Sequence, residues 1–202
     1  MFERKQIPNI LTICRILIIF PTLWLLYFNQ YRDALTLLII AGLSDALDGY
    51  LARAFDWKTR LGSILDPVAD KFLIASSFFV LTLQGAVPIW VTAIILGRDL
   101  IIFSGAIAYR LLYRNLDIAP SILSKMNTAL QIFSVIYLVL SLSGYPYFAT
   151  DLVDYLNSYL FYLLAFLGFI SGIDYIIVWS RKAFNHGVSN RPGDEQTENR
   201  QQ

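Results

Sequence analysis

Four aspartates in the first half of the chain stand at intervals that put carboxylates on helix faces. The stretch from Asp45 to Lys71 reads DALDGYLARAFDWKTRLGSILDPVADK. Asp45 and Asp48 are three residues apart, and Asp66 and Asp70 four apart, so each pair shares one side of a helix. Two antiparallel helices joined by a loop of about ten residues turn the four toward one another. An isolated ionised aspartate at membrane depth costs about 2.5–3.5 kcal/mol, and four converging ones cost more or take up protons. A divalent cation removes that cost. An all-oxygen donor set points to Mg²⁺ or Mn²⁺ rather than zinc. The single cysteine, Cys14, lies in an apolar run and reads as packing, and the single histidine, His186, lies in or beside a polar tail.

Small and basic residues surround the carboxylates. Gly49, Ala52 and Gly62 leave room for a flat or charged ligand to approach the backbone, although tight helix–helix packing uses such residues equally well. Arg53, Lys58 and Arg60 stand where the phosphates of a nucleotide would arrive.

The elements that must carry these residues are apolar. Of 202 residues, 56% are hydrophobic and 15% charged, and the mean hydropathy is +0.56. A soluble domain carries about 45–50% apolar and about 25% charged residues. The net charge of +1 gives no footprint for nucleic acid. Six apolar runs, at about 10–27, 35–52, 67–83, 89–112, 122–142 and 159–179, approach or reach the roughly 20 residues that span a bilayer. The expected fold is therefore all-α, a polytopic membrane protein with six transmembrane helices in one bundle. The first run holds Arg15 and is followed by no small-x-small site, unlike a cleaved signal peptide. Pro67 is harmless if its helix begins near Ser63, because first-turn N–H groups have no partner.

Lys and Arg fix the expected orientation. Arg4, Lys5, Arg53, Lys58, Arg60, Lys71, Arg110, Arg114, Lys125, Arg181, Lys182, Arg191 and Arg200 fall at one side and only Arg32 at the other, which places both termini and the 53–66 segment in the cytoplasm. Met1–Pro8 reads as an entry segment along the membrane surface. The 143–158 segment reads as the longest outer connection. A membrane domain is expected over 1–185 and a polar, disordered cytoplasmic tail over 186–202. No N-terminal targeting sequence is seen, which favours a bacterial inner membrane.

The spacing Asp45-x2-Asp48-Gly49-x2-Ala52-Arg53-x8-Gly62-x3-Asp66-x3-Asp70 matches every position of the CDP-alcohol phosphatidyltransferase signature, and the resemblance extends through the six runs. It implies transfer of a phosphatidyl group from CDP-diacylglycerol to an alcohol with release of CMP. It further implies that Asp45, Asp48, Asp66 and Asp70 hold one or two Mg²⁺ or Mn²⁺ ions, with Asp70 also the general base. The CDP pocket would be formed by Asp45, Gly49, Ala52, Arg53, Gly62 and Asp66. A homodimer in contact with membrane lipids is implied as well.

The opening IPNILTICRI, with Pro8, Asn9, Thr12 and Arg15, resembles the glycerol-lipid branch, which uses glycerol 3-phosphate or phosphatidylglycerol as acceptor. The run Ser124-Lys125-x-Asn127-Thr128, with Arg98-Asp99 and Arg110, resembles its cardiolipin synthases. Arg98, Arg110 and Lys125 are the candidate acceptor contacts, although Arg110 and Lys125 also serve as positive-inside anchors. Arg98 sits deeper, where Asp99, Asp174 or a lipid phosphate could pair with it. Asp174 has no assigned task. Phosphatidylserine or phosphatidylinositol synthesis is the alternative within the family. Outside it stand a small ion or proton transporter, which would spread carboxylates through the membrane depth, and a structural bundle, which gives no reason for the aspartates.

Overall fold

The computed structural model describes residues 7–55, 62–112, 122–145 and 151–189. The side chains of 7–11, 48, 52–53, 62–67, 106–112, 151–155, 176 and 178–189 lie outside the described residues. The described secondary structure is helical throughout: α1 (Ile7–Tyr27), α2 (Tyr31–Ala54), α3 (Gly62–Leu83), α4 (Ile89–Leu112), α5 (Ile122–Leu142) and α6 (Asp151–Ser189). Each helix falls on one of the six apolar runs, with α4 and α5 matching theirs end to end. Among the described residues, Tyr31–Leu51, Ile122–Leu142 and Leu156–Tyr175 are long and apolar enough to cross a membrane, and Thr12–Tyr27 is a shorter apolar helix.

Helix α3 begins at Gly62, next to the expected Ser63, with Pro67 as its sixth residue. Two boundaries differ from expectation. Helix α6 begins at Asp151, inside the segment read as an outer connection. It also continues through His186 to Ser189, so the boundary set at 185/186 falls within a helix. Hydropathy finds apolar runs; a helix continues past its run wherever its polar residues tolerate helical geometry. Residues 1–6, 56–61 and 190–202, which include the start of the entry segment, Lys58, Arg60 and the rest of the tail, lie outside the described residues.

The turns at one end of the bundle are closed by left-handed residues. After α1, the Asn29 N–H bonds Leu26 O at 3.0 Å and the Gln30 N–H bonds Leu25 O at 2.8 Å, with Asn29 at φ 61°. After α3, the Gly85 N–H bonds Thr82 O and the Ala86 N–H bonds Leu81 O, each at 3.0 Å, with Gly85 at φ 75°. Both are Schellman caps, which satisfy the last carbonyls of a helix. Side chains lock the same end. The Gln84 amide donates to Leu26 O and Tyr27 O, Tyr31 Oη donates to Gln84 Oε1 at 3.1 Å, and Arg32 Nε donates to Ser143 O at 3.0 Å.

The interior is split along the helix axes. Toward the capped end it is apolar, built by Ile19, Leu26, Leu35, Leu38, Phe78, Leu81, Val91, Leu138 and Leu164, all buried. Most hydroxyls there bond back to their own helices, Thr22 to Ile18 O at 2.8 Å, Ser77 to Leu73 O at 2.7 Å and Ser134 to Leu130 O at 2.6 Å, while the Thr82 and Thr92 hydroxyls pair across α3 and α4 at 2.5 Å. Toward the other end the buried residues include Arg15, Arg98, Asn127 and Ser171. The outer surface is the reverse of a soluble protein's. Arg15 is 1% exposed whereas Phe20, five residues on, is 68% exposed. Apolar side chains facing outward around buried charge suit a lipid surround.

Helix α1 packs against α2 and α3, α5 packs against α2, α3 and α6, α4 packs against α6, and α3 packs against α4. Among the described residues α2 and α3 are not a closely packed pair. The two carboxylate-bearing helices flank a space closed by α1 on one side and α5 on the other.

Gly85→Ala forces an L-residue into the left-handed region, and the expected loss is about 1–2 kcal/mol. Asn29→Gly removes that strain at the equivalent cap but also the Asn29 Oδ1 that accepts from Tyr31 Oη at 2.8 Å, so stability stays within about 1 kcal/mol of wild type. Thermal unfolding of the two variants in detergent checks the contrast.

Candidate active site

Arg15 stands about 12 Å from the start of α1 at 1.5 Å per residue. Its Nη1 donates to Asp45 Oδ1 at 2.7 Å and to Asp70 Oδ1 at 2.8 Å. One nitrogen serves both oxygens, so the carboxylates of α2 and α3 meet across it. Arg15 is buried to its tip, while the Asp45 and Asp70 side chains are 44% and 38% exposed. The guanidinium therefore works as a fixed internal cation behind two carboxylates that remain open in front. Arginine suits this role because it stays protonated and is less strongly hydrated than an ammonium.

The space in front is a cavity of about 90 Å³ between α1, α2, α3 and α5. Arg15, Asp45 and Asp70 form its polar end, and Leu38, Ala41, Leu73, Ile74, Val135 and Ile136 line its apolar remainder. Asp48 and Asp66 lie on described backbone of α2 and α3, and their side chains lie outside the described residues, as do those of Ala52, Arg53 and Arg110. Gly49 lies on α2 one helical turn after Asp45, and Gly62 is the first residue of α3. The structure thus brings together one member of each aspartate pair. Two aspartate carboxylates with accessible surface, on helices separated by a cavity, are a fitting donor set for a hard dication.

A second polar cluster lies on the other side of α3. Lys71 Nζ donates to both oxygens of Asp99 at 3.0 Å each and to Thr128 Oγ1 at 3.2 Å. Arg98 Nη1 donates to Asp99 Oδ1, and Arg98 Nη2 donates to Ser124 Oγ at 2.6 Å and Ser171 Oγ at 2.8 Å. Of the partners anticipated for Arg98, Asp99 is the one it takes. Asn127 and Gln131, on the same helix as Ser124, are buried with no partner for their amides among the described residues. Lys125 is exposed in the first turn of α5, apart from this cluster.

Sequence reasoning counted Lys71 only among the positive-inside residues, and Arg15 only as a residue of the opening run. The available signal was a cation inside an apolar helix, which requires an anion at the same depth. It names the need and not the partner.

The chain belongs to the CDP-alcohol phosphatidyltransferase family, whose pattern it matches over residues 5–172. It is 31% identical over 174 residues to a CDP-diacylglycerol–glycerol-3-phosphate 3-phosphatidyltransferase of Rickettsia typhi, a match covering 85% of this chain and 95% of that protein. It is 34% identical over 145 residues to the cardiolipin synthase (CMP-forming) of Rattus norvegicus, covering 64% of this chain and 48% of that protein. A Schizosaccharomyces pombe cardiolipin synthase (CMP-forming)/mitochondrial hydrolase fusion protein is 32% identical over 198 residues, with 89% of this chain but only 32% of the fusion protein covered. The chain thus spans about a third of the fusion protein, about half of the rat enzyme and nearly all of the rickettsial one.

Arg15→Met leaves Asp45 and Asp70 facing each other without their shared cation. The expected loss is about 2 kcal/mol, below the roughly 3–5 kcal/mol of a fully buried broken pair because both carboxylates are partly open. Arg15→Lys keeps a charge and recovers part of the loss. Melting temperatures of the three proteins in metal-free detergent solution give the order wild type, Lys, Met.

Proposed function

We propose that this member of the family transfers the phosphatidyl group of CDP-diacylglycerol to a glycerol-type alcohol, either glycerol 3-phosphate or phosphatidylglycerol, in phospholipid biosynthesis. The convergence of Asp45 and Asp70 on Arg15, at the polar end of an otherwise apolar cavity, carries the reading. The donor has the same polarity. Its pyrophosphate belongs at the carboxylate end, and the start of an acyl chain fits the wall formed by Leu38, Ala41, Leu73 and Val135.

Asp70 is the general base. The acceptor hydroxyl gives its proton to Asp70. Its oxygen then bonds to the phosphorus that carries diacylglycerol, and the bond from that phosphorus to the bridging oxygen breaks, releasing CMP. Arg15 Nη1 donates to Asp70 Oδ1 at 2.8 Å, which holds that carboxylate at the cavity wall. Asp45, Asp48, Asp66 and Asp70 would hold Mg²⁺ or Mn²⁺, two ions by resemblance, which when bound neutralises the pyrophosphate and the leaving CMP. Gly49, Ala52, Arg53 and Gly62, with Asp45 and Asp66, would receive the CDP moiety. Arg110 and Lys125 are the acceptor contacts this reading retains. Arg98 belongs with them only if substrate displaces Ser124 or Ser171 from its guanidinium.

The six helices are read as six spans, with both termini and the carboxylates at the cytoplasmic side. Helices α1 to α5 have 21–24 residues, about 32–36 Å at 1.5 Å per residue, against a hydrocarbon core of about 30 Å. Arg32, the lone cation of the opposite side, lies at the capped end with Ser143 and the Tyr145 ring. The membrane domain is read over 1–185 with 186–202 as its cytoplasmic tail, and helix α6 continues into that tail as far as Ser189.

Purified protein given CDP-diacylglycerol and Mg²⁺ or Mn²⁺ releases CMP with glycerol 3-phosphate or with phosphatidylglycerol, and the productive acceptor names the product lipid. Folded protein that releases no CMP with either acceptor would overturn the proposal. Asp70→Asn is expected to stay folded and lose turnover by at least about 100-fold, the lower end of general-base contributions; near-normal turnover would remove Asp70 as the base.

A further inference from the structure

Residues 70 and 71 are neighbours on α3, about 100° apart around the helix, and each is the end of a different polar cluster. Asp70 points to α1 and α2 through Arg15. Lys71 points to α4 and α5 through Asp99 and Thr128. We propose that Lys71, Asp99 and Arg98 form a positioning triad that fixes the rotation of α3, and with it the aim of Asp70. The proposal rests on the reading of Asp70 as the base.

Lys71 has no capacity left for a substrate. Its ammonium carries three protons, and the two Asp99 oxygens and Thr128 Oγ1 take three bonds. Asp99 is 14% exposed and is held from the other side by Arg98, whose side chain is 4% exposed. Arg98 in turn reaches Ser124 on α5 and Ser171 on α6. The triad therefore ties α3 to α4, α5 and α6 through charged groups, of which Arg98 and Asp99 are largely buried and lose heavily if a partner turns away, while Lys71 is 38% exposed and loses less. Among the described residues the other polar tie from α3 to this side is the neutral Thr82–Thr92 hydroxyl pair near its far end, and Leu73, Phe78 and Leu81 make apolar contacts that tolerate small rotations. Rotation of α3 about its axis would swing the Asp70 carboxylate sideways, and displacement of a reacting group by about 1 Å can cost about 100-fold in rate.

The test compares Lys71→Met, Lys71→Arg and Thr128→Val in detergent with CDP-diacylglycerol, Mg²⁺ and the productive acceptor, kcat being normalised to folded protein. Lys71→Met is expected to lower kcat about tenfold or more, with the KM of donor and acceptor within about twofold. Lys71→Arg, which can hold both Asp99 oxygens, recovers at least a third of wild-type kcat. Thr128→Val, which keeps both charges and folds if Lys71→Met does not, lowers kcat about two- to fivefold with KM unchanged. Unchanged normalised kcat in Lys71→Met and Thr128→Val, whatever the melting temperature, would overturn the proposal and leave a purely structural brace. A raised acceptor KM with normal kcat would overturn it in favour of a substrate contact. Asp70→Asn run alongside separates the two claims: if it turns over normally the base assignment fails on its own, independently of the Lys71 series.

Discussion

A charge inside an apolar body must meet an opposite charge at the same depth, and this molecule meets that requirement chiefly through Arg15. One guanidinium nitrogen contacts Asp45 on α2 and Asp70 on α3, from a third helix that packs against both. Without it two carboxylates would approach across a cavity with only their mutual repulsion between them. With it the helices stand apart by the width of that cavity, and the carboxylates keep accessible surface on the side away from the guanidinium. The site is open because the countercharge lies behind it.

The remaining architecture follows from separating this polar half from an apolar one. At the capped end, Schellman turns at Asn29 and Gly85, the Gln84 clamp and the buried Leu and Val side chains give a firm junction with no chemistry in it. At the other end buried charged residues face one another in two clusters, each tied to partners on other helices, while the buried amides of Asn127 and Gln131 have no partner among the described residues. Stability is concentrated where helices need only pack. Reactive groups are concentrated where packing is relaxed enough to leave a cavity.

Helix α3 joins the two clusters. Asp70 and Lys71 are consecutive, yet one belongs to the α1–α2–α3 group and the other to the α3–α4–α5–α6 group. A bilayer offers helices little hydrophobic drive to associate with one another, so interhelical ion pairs and hydrogen bonds set rotations that apolar contacts leave soft. Polar ties reach α3 on both faces, from Arg15 on one and from Asp99 and Thr128 on the other, and the proposed reaction would draw on the fixed rotation they give.

Much of this was legible in the sequence. The aspartate spacing, Gly49, Ala52, Arg53 and Gly62 identified the family, and apolar run length located six helices, because both signals are local: helical periodicity and residue type along a few turns. The ends of α6 were not legible, since polar residues continue a helix beyond its apolar stretch as readily as they end it. Nor were the partners. Arg15 could have met any of the four aspartates, and Arg98 could have met Asp99 or Asp174. Nothing local distinguishes these, because the choice depends on which helix packs beside which and on the rotation of each. The sequence by itself determined what charges lie within apolar runs and what chemistry they can support. Only the tertiary structure decided that α1 packs against both α2 and α3, that its arginine closes the pair Asp45–Asp70, and that Lys71 turns to Asp99, because ion pairing acts over a few ångströms and chain separation says nothing about which groups come that close.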